Sequence, residues 1–209
     1  MFGGVGMTTI EKAEFAALAV AAVTFCFLTI YFSAKLRRER RKLNKRIKTL
    51  EKELRYDHLT GALSKKAFAE EVESSIAECG EGTLLLFDIN SFRSVNDMFG
   101  HVAGDALIKR YAAKLLKEFS KELVGRLGGD EFLVYISGKC SREEINARLK
   151  KSGAARFSDK PTQLLITSCC GAAAAPQNGK TFDDLFAGAD KALYHSKTND
   201  NTISYCKEE

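Results

Sequence analysis

Proline is nearly missing from this chain and tryptophan wholly so: two of the first and none of the second in 209 residues. With 16 glycines and 45% apolar residues, the composition excludes collagen-like or low-complexity sequence and wholesale disorder. Only three histidines occur (His58, His101, His195), without zinc-ligand spacing, and the six cysteines (Cys26, Cys79, Cys140, Cys169, Cys170, Cys206) form no C-x-x-C pair. A zinc finger, a dithiol redox motif and a disulfide-stapled miniprotein are thereby excluded, and the cysteines read as free thiols in a reducing compartment. There is no G-x-x-x-x-G-K-[ST] loop and no G-x-S-x-G elbow, which removes P-loop chemistry and elbow-type hydrolases. Asp88-Ile89-Asn90 opens like a calcium loop, but Phe92 and Phe99 fall on ligand positions and exclude one. A basic surface is missing from most of the chain too. The formal charge is +5, yet residues 56–209 carry net −2, residues 1–34 net −1 and the block 35–55 net +8. The compact part is mildly acidic, so nucleic acid is not its partner.

What is present begins with a run of twenty residues, 15–34 (FAALAVAAVTFCFLTIYFSA), that has neither a charge nor a proline. As a helix it would span ~30 Å, the thickness of a bilayer's hydrocarbon. Thr24, Thr29 and Ser33 can bond back to preceding carbonyls, and Tyr31 sits near the end where an interfacial aromatic belongs. A cleaved signal peptide fits poorly, because residues 1–14 are not basic, the apolar run is long and no A-x-A site follows. Lys35, Arg37, Arg38, Arg40, Arg41 and Lys42 crowd the far side of the span while one lysine precedes it, which orients the bulk of the chain to the cytoplasm. Residues 1–14 are then a short outer segment, too small to fold as a ligand-binding domain.

Residues 35–55 contain no helix breaker, and Leu36, Leu43 and Leu50 recur every seven residues, with Ile47 and Leu54 four after the last two. These are the d and a positions of a short parallel coiled coil, spoiled at the first a position by Arg40. The same block also reads as a basic helix lying on anionic headgroups, and the two readings are compatible.

From residue 56 onward strand and helix signals alternate. Ser64 caps a helix bearing Phe68, Val72 and Ile76; residues 83–89 (TLLLFDI) read as a buried strand; a helix follows over 103–119. In LVGRLGGDEFLVYI two apolar runs flank Gly-Gly-Asp-Glu, a β-hairpin pattern. Ser141 with Glu144 forms a capping box, residues 163–168 a strand, Thr181 with Asp184 the start of a last helix, and residues 202–205 a terminal strand. An α/β sandwich follows rather than a bundle.

Two acidic places stand out: Asp88 at the end of an apolar strand, and Asp130-Glu131 at the hairpin tip. A carboxylate ending a strand buried on both faces must be solvated, hydrogen-bonded or cation-bound. If the hairpin pairs beside that strand, three carboxylates converge, a donor set suited to Mg²⁺. Spacing leaves the plainer reading open, because Gly-Gly-Asp-Glu is also ordinary turn sequence.

Together these residues resemble the GGDEF domains, the diguanylate cyclases that condense two GTP into cyclic di-GMP. The resemblance is spread over five blocks in order: Asp57-His58-Leu59-Thr60-Gly61; Phe87-Asp88-Ile89-Asn90-Ser91-Phe92-Arg93 with Asn96-Asp97; Gly100-His101-Val102-Ala103-Gly104-Asp105; Arg126-Leu127-Gly128-Gly129-Asp130-Glu131-Phe132; and Ala189-Asp190-Lys191-Ala192-Leu193-Tyr194 before Lys197. It implies a palm-like α/β fold, an antiparallel-containing central sheet wrapped by helices over residues 56–209. It also implies roles. Asp88, the Ile89 carbonyl, Asp130 and Glu131 would hold Mg²⁺ or Mn²⁺, with Asp130 accepting the 3′-hydroxyl proton and Glu131 beside it supporting the metal and phosphates. Asn96 and Asp105 would read guanine, since an aspartate can accept from N1–H and N2–H₂ together. Phe92, Arg93, Gly128 and Gly129 would line the phosphates and Lys197 would contact them as a point charge.

Three departures bear on activity. Residues 198–201 (TNDN) lack a second basic residue that many members carry. The product-inhibition motif R-x-x-D is replaced by Phe119-Ser120-Lys121-Glu122, and phenylalanine cannot offer a guanidinium fork. Asn90 stands for a common aspartate. Asp57 and Thr60 read as fixing the domain's opening turn and His101 as structural. The sequence therefore predicts a homodimeric, single-pass protein of the bacterial inner membrane, N-terminus out, making cyclic di-GMP for receptors it does not name. The alternative is a weakly active GGDEF module that binds GTP or a partner as a regulator.

Overall fold

The structure, a computed structural model, describes residues 9–152, 156–159, 164–199 and 202–206. Residues 1–8 of the expected outer segment, Gln163 of the expected strand and residues 200–201 beyond the last helix lie outside them. The chain divides into two compact units, Met1–Lys52 and Glu53–Glu209. The first is dominated by α1 (Thr9–Leu54), a single unbroken helix. It is long and apolar enough, by length and composition, to cross a membrane. Its hydroxyls turn inward as expected: Thr24 Oγ1 donates to the Ala21 carbonyl and Thr29 Oγ1 to that of Cys26, both at 2.8 Å.

The second unit is built on a mixed sheet. In chain order its elements are β1 (Leu63–Ser64), α2 (Lys65–Cys79), β2 (Gly82–Ile89), α3 (Phe92–Phe99), α4 (His101–Glu118), β3 (Leu123–Gly128) and β4 (Glu131–Ser137). There follow α5 (Arg142–Ser152), β5 (Arg156–Asp159), β6 (Leu164–Ala175), α6 (Phe182–Thr198) and β7 (Ile203–Tyr205). The strand order is β1-β3-β4-β2-β6-β5, with β7 added to β6. β2 is central, antiparallel to β4 on one side and to β6 on the other.

β2 is apolar throughout because both its faces are covered. Leu85, Phe87 and Ile89 pack with Phe132, Val134 and the α4 residues Leu107, Tyr111 and Leu115. Leu84 and Leu86 pack on the other face with Leu133, Tyr135, Phe68 of α2 and Leu185, Ala189 and Leu193 of α6. The expected hairpin, capping boxes and central strand are all present. At α5 the Ser141 N–H donates to Glu144 and the Glu144 N–H to the Ser141 hydroxyl; at α6 Thr181 and Asp184 do the same. The α/β sandwich is as expected; the differences are α3, a short helix the sequence pattern does not announce, and β6, which runs past the expected 163–168 to Ala175.

Candidate active site

The period-two alternation of a strand decides what meets at the sheet's edge. Asp88 follows Leu84 and Leu86 on the α6 face of β2, and it is paired in register with Glu131 of β4. β3 and β4 join through Gly129 and Asp130, with a register shift between Arg126 and Gly128. The turn needs glycine, because Gly128 has φ 149° and Gly129 φ 54°. It is stitched back to the central strand by the Ile89 N–H, which donates to the Asp130 carbonyl at 3.4 Å. Asp88, Asp130 and Glu131 are thus gathered at one place, as the sequence predicts.

Their electrostatics carry the mark of crowding. Burial, then the Asp88 charge, pushes the Asp130 carboxyl above its ordinary value. Burial, then Asp88 and Asp130, does the same to Glu131, and Asp190 of α6 adds to it. Lys197 answers from the last turn of α6, its Nζ 2.7 Å from Asp88 Oδ2. Lys197 is expected on phosphate; in this structure its partner is Asp88. Among the described residues no three acidic, histidine or cysteine groups close into a preformed metal cage. The donor set nonetheless fits Mg²⁺ or Mn²⁺: it is all oxygen, mutually repelling, and Mg²⁺ takes only one or two protein carboxylates beside water and phosphate.

A second group lies on α3 and α4. Asn90 anchors the loop that leads there, its backbone N–H donating to the Thr167 carbonyl and its amide to Thr167 Oγ1, each at 2.9 Å. The loop then passes through Ser91 in a left-handed conformation, φ 54° and ψ 28°. Phe92 opens α3 and is half-buried against the core, Arg93 is exposed, and the Asn96 oxygen Oδ1 is buried without a hydrogen-bond partner among the described residues. Asp105 is exposed on α4, next to Gly104, which lies against Asn96. The structure therefore brings Asn96 and Phe92 together against Gly104, and the three carboxylates with Lys197 as another group; Asp105 stands exposed on α4 and is not shown to join either.

Two contributors have no assigned role in the sequence reading. Arg126, 11% exposed at its side chain, donates from Nη1 to both Asp57 oxygens at 3.0 and 3.2 Å and from Nη2 to the Gly129 carbonyl at 2.7 Å. It ties the opening turn to the Gly-Gly-Asp-Glu turn. A lone arginine inside an apolar strand was the available signal. Asp190, the other, is visible only through the helix that brings it near Glu131. The opening turn itself is as expected: Asp57 Oδ1 accepts from the Thr60 N–H at 2.9 Å and from its hydroxyl at 2.6 Å.

The diguanylate cyclase GGDEF domain profile matches residues 54–202. The chain is 32% identical over 149 residues to the diguanylate cyclase DgcP of Pseudomonas aeruginosa, covering 68% of this chain and 22% of that one. It is 29% identical over 148 residues to the probable diguanylate cyclase DgcC of Escherichia coli, covering 68% and 40%. It thus spans well under half the length of either relative. A solved sensory box/GGDEF family protein from Caulobacter crescentus is 32% identical at TM-score 0.61, covering 69% of this chain and 99% of that one. The coiled coil and GGDEF domain of Caulobacter crescentus DgcB, solved with c-di-GMP, shares the fold at TM-score 0.68 and 23% identity, covering 82% and 96%.

Proposed function

Because the chain belongs to the GGDEF family, we propose that it is a diguanylate cyclase, anchored in the inner membrane by residues 15–34, whose domain spans residues 56–209. The observation that carries this is the convergence of Asp88, Asp130 and Glu131 at one sheet edge, with Asp88 and Glu131 directly opposite each other. Asp88, Asp130, Glu131 and the Ile89 carbonyl would hold Mg²⁺ or Mn²⁺. When bound, such an ion neutralises phosphate charge and makes a ribose hydroxyl more acidic.

The chain's own groups do the rest. Asp130 accepts the 3′-hydroxyl proton as the general base. Asn96 and Asp105 hold the guanine, and Lys197 stands within reach of the triphosphate as a mobile positive charge. Gly128 and Gly129 leave room for phosphate oxygens beside the turn. One domain binds one GTP, so two must face each other. Each 3′-oxygen forms a bond to the other nucleotide's α-phosphorus while that phosphorus loses pyrophosphate, giving cyclic di-GMP and two pyrophosphates from two GTP. The facing pair is a homodimer, and residues 35–55 supply its coiled coil.

Incubation of the detergent-solubilised chain with GTP and Mg²⁺ tests this. Cyclic di-GMP should form at a rate rising with protein concentration and disappear in Asp130→Ala. GTP bound tightly with no cyclic dinucleotide at any concentration would instead identify the regulatory module.

A further inference from the structure

Lys197 is held where a divalent ion is expected. Its Nζ lies 2.7 Å from Asp88 Oδ2, and Asp88 is paired in register with Glu131. Burial, then the Asp88 charge, pushes the Asp130 and Glu131 carboxyls up, and the same ammonium pulls both back. One positive charge thus serves all three carboxylates. Arg126 also acts on Asp130, but it is committed to both Asp57 oxygens and to the Gly129 carbonyl.

Lys197 is less firmly committed. It rides on the last turn of α6, and its side chain is 42% exposed against 15% for Asp88. A partly exposed ion pair contributes little and a lysine stem is flexible, so the ammonium leaves Asp88 readily when a stronger anion arrives. A nucleoside triphosphate, with several charges against the one on Asp88, is such an anion. A divalent ion is the opposite case. An ammonium and a divalent ion on one carboxylate repel each other, and more strongly than in bulk water at a side chain as little exposed as Asp88.

We propose that Lys197 is a resident counter-ion that the triphosphate draws off Asp88: on Asp88 it weakens divalent-metal binding, and by leaving it makes metal and nucleotide bind as a pair. This rests on the reading of Asp88, Asp130 and Glu131 as metal ligands and of GTP as substrate. The coupling is reciprocal, each partner tightening the other by the same factor.

The test separates the metal from the reaction. Mn²⁺ alone is titrated against the detergent-solubilised whole chain without nucleotide, and the unbound ion is read from its electron paramagnetic resonance signal. Lys197→Met keeps an apolar stem and removes the charge. Its Mn²⁺ dissociation constant should be about tenfold lower than that of the unaltered chain, within the usual range of coupling between sites. Lys197→Arg, which restores the charge, should return it to within about threefold. Lys180→Met removes the same charge ahead of α6, ~25 Å away by helix rise and beyond the screening length, and should leave it within about twofold. Affinity for 3′-deoxy-GTP, which has no 3′-hydroxyl to react, should move the other way: at saturating Mn²⁺ it should be about tenfold weaker in Lys197→Met.

A lysine that only binds phosphate leaves the affinity for Mn²⁺ alone unchanged, and one that only pins α6 weakens both affinities. Either result in a folded Lys197→Met chain overturns the proposal, as does an unchanged nucleotide affinity or an equal gain in Lys180→Met. If Lys197→Met loses its thermal transition, Lys197→Gln replaces it with the same expected constants, and loss in both overturns the proposal by making the lysine structural. Cyclic di-GMP made by the unaltered chain alongside any of these failures keeps the cyclase reading and removes only the counter-ion. Opposite shifts in a chain that makes no cyclic dinucleotide do the reverse.

Discussion

Arg126 makes one unit of two turns that are far apart in the sequence. Only a planar fork can donate to the Asp57 carboxylate and to the Gly129 carbonyl at once, so lysine is no substitute. Arg126→Lys should lower turnover about tenfold while costing about 1–2 kcal/mol of stability, because the Gly-Gly-Asp-Glu turn loses its brace; full turnover in that variant would sink the brace. Asp57 adds a pH signature. Burial pushes its carboxyl up, but the Thr60 and Arg126 hydrogen bonds outweigh burial and hold it below its ordinary 3.8. A depressed carboxyl contributes stability above its unfolded pKa and loses it as the pH falls through the folded value. Melts from neutral pH downward should show the advantage of the unaltered protein over Asp57→Asn shrinking only below about pH 4. An advantage constant with pH would mean that Asp57 does not act through its charge. Both residues stand in quoted motifs, yet their pairing was not legible: 69 positions separate them, and no periodicity reports a contact of that range.

At the scale of elements, α6 is the part whose distance from the sheet matters most, since it carries both Asp190 and Lys197. Gly171 of β6 sets that distance. A β-carbon there would lie 2.0 Å from the Ala189 carbonyl oxygen and 2.4 Å from the Leu193 nitrogen, and a helix backbone cannot swing aside as a side chain can. Gly171→Ala should therefore cost about 1–3 kcal/mol, as overpacking does, and reduce turnover as Lys197 withdraws from Asp88; an unchanged melting temperature would refute the tight approach. Between α4 and α5, Phe119 is fully buried under the Arg148 guanidinium, 4.6 Å from its ring centroid, and Glu122 accepts from Arg148 at 3.1 Å. The positions of the product-inhibition motif are thus spent on an internal clamp. Initial rates should be insensitive to added cyclic di-GMP, and micromolar inhibition would contradict this. The elements legible in the sequence were those with a long period or a cap: α2, α4, α5, α6, β2 and the hairpin. α3 was not, because eight residues starting from a left-handed Ser91 with no side-chain cap offer neither signal. β1 is two residues long and owes its existence to pairing with β3. The far half of β6, Cys-Cys-Gly-Ala-Ala-Ala-Ala, has no β-branched residue and becomes strand by lying along β2.

For the whole molecule, the decisive quantity is how often two domains meet. One domain holds a single carboxylate cluster, whereas the proposed reaction consumes two GTP, so an isolated domain waits for encounter by diffusion. The helix offers a remedy. Leu36, Leu43, Leu50 and Leu54 are each more than half exposed and Ile47 is 42% exposed, an apolar seam uncovered among the described residues. A second copy covers such a seam, but three heptads are marginal by themselves. In the proposed anchored dimer, confinement in a membrane would add to them, and the linker would then raise the effective concentration of the second domain to the order of millimolar. Replacing Leu43 and Leu50 together by glutamate places like charges in the seam and leaves residues 56–209 untouched. Turnover per chain should then fall steeply at nanomolar protein and recover at high concentration, while Asp130→Ala stays inactive throughout. Crosslinking at the low concentration should show dimers in the unaltered protein and monomers in the variant. If the doubly substituted protein turns over GTP as fast as the unaltered one when dilute, the seam does not bring the domains together, and pairing must come from the domains or the membrane span.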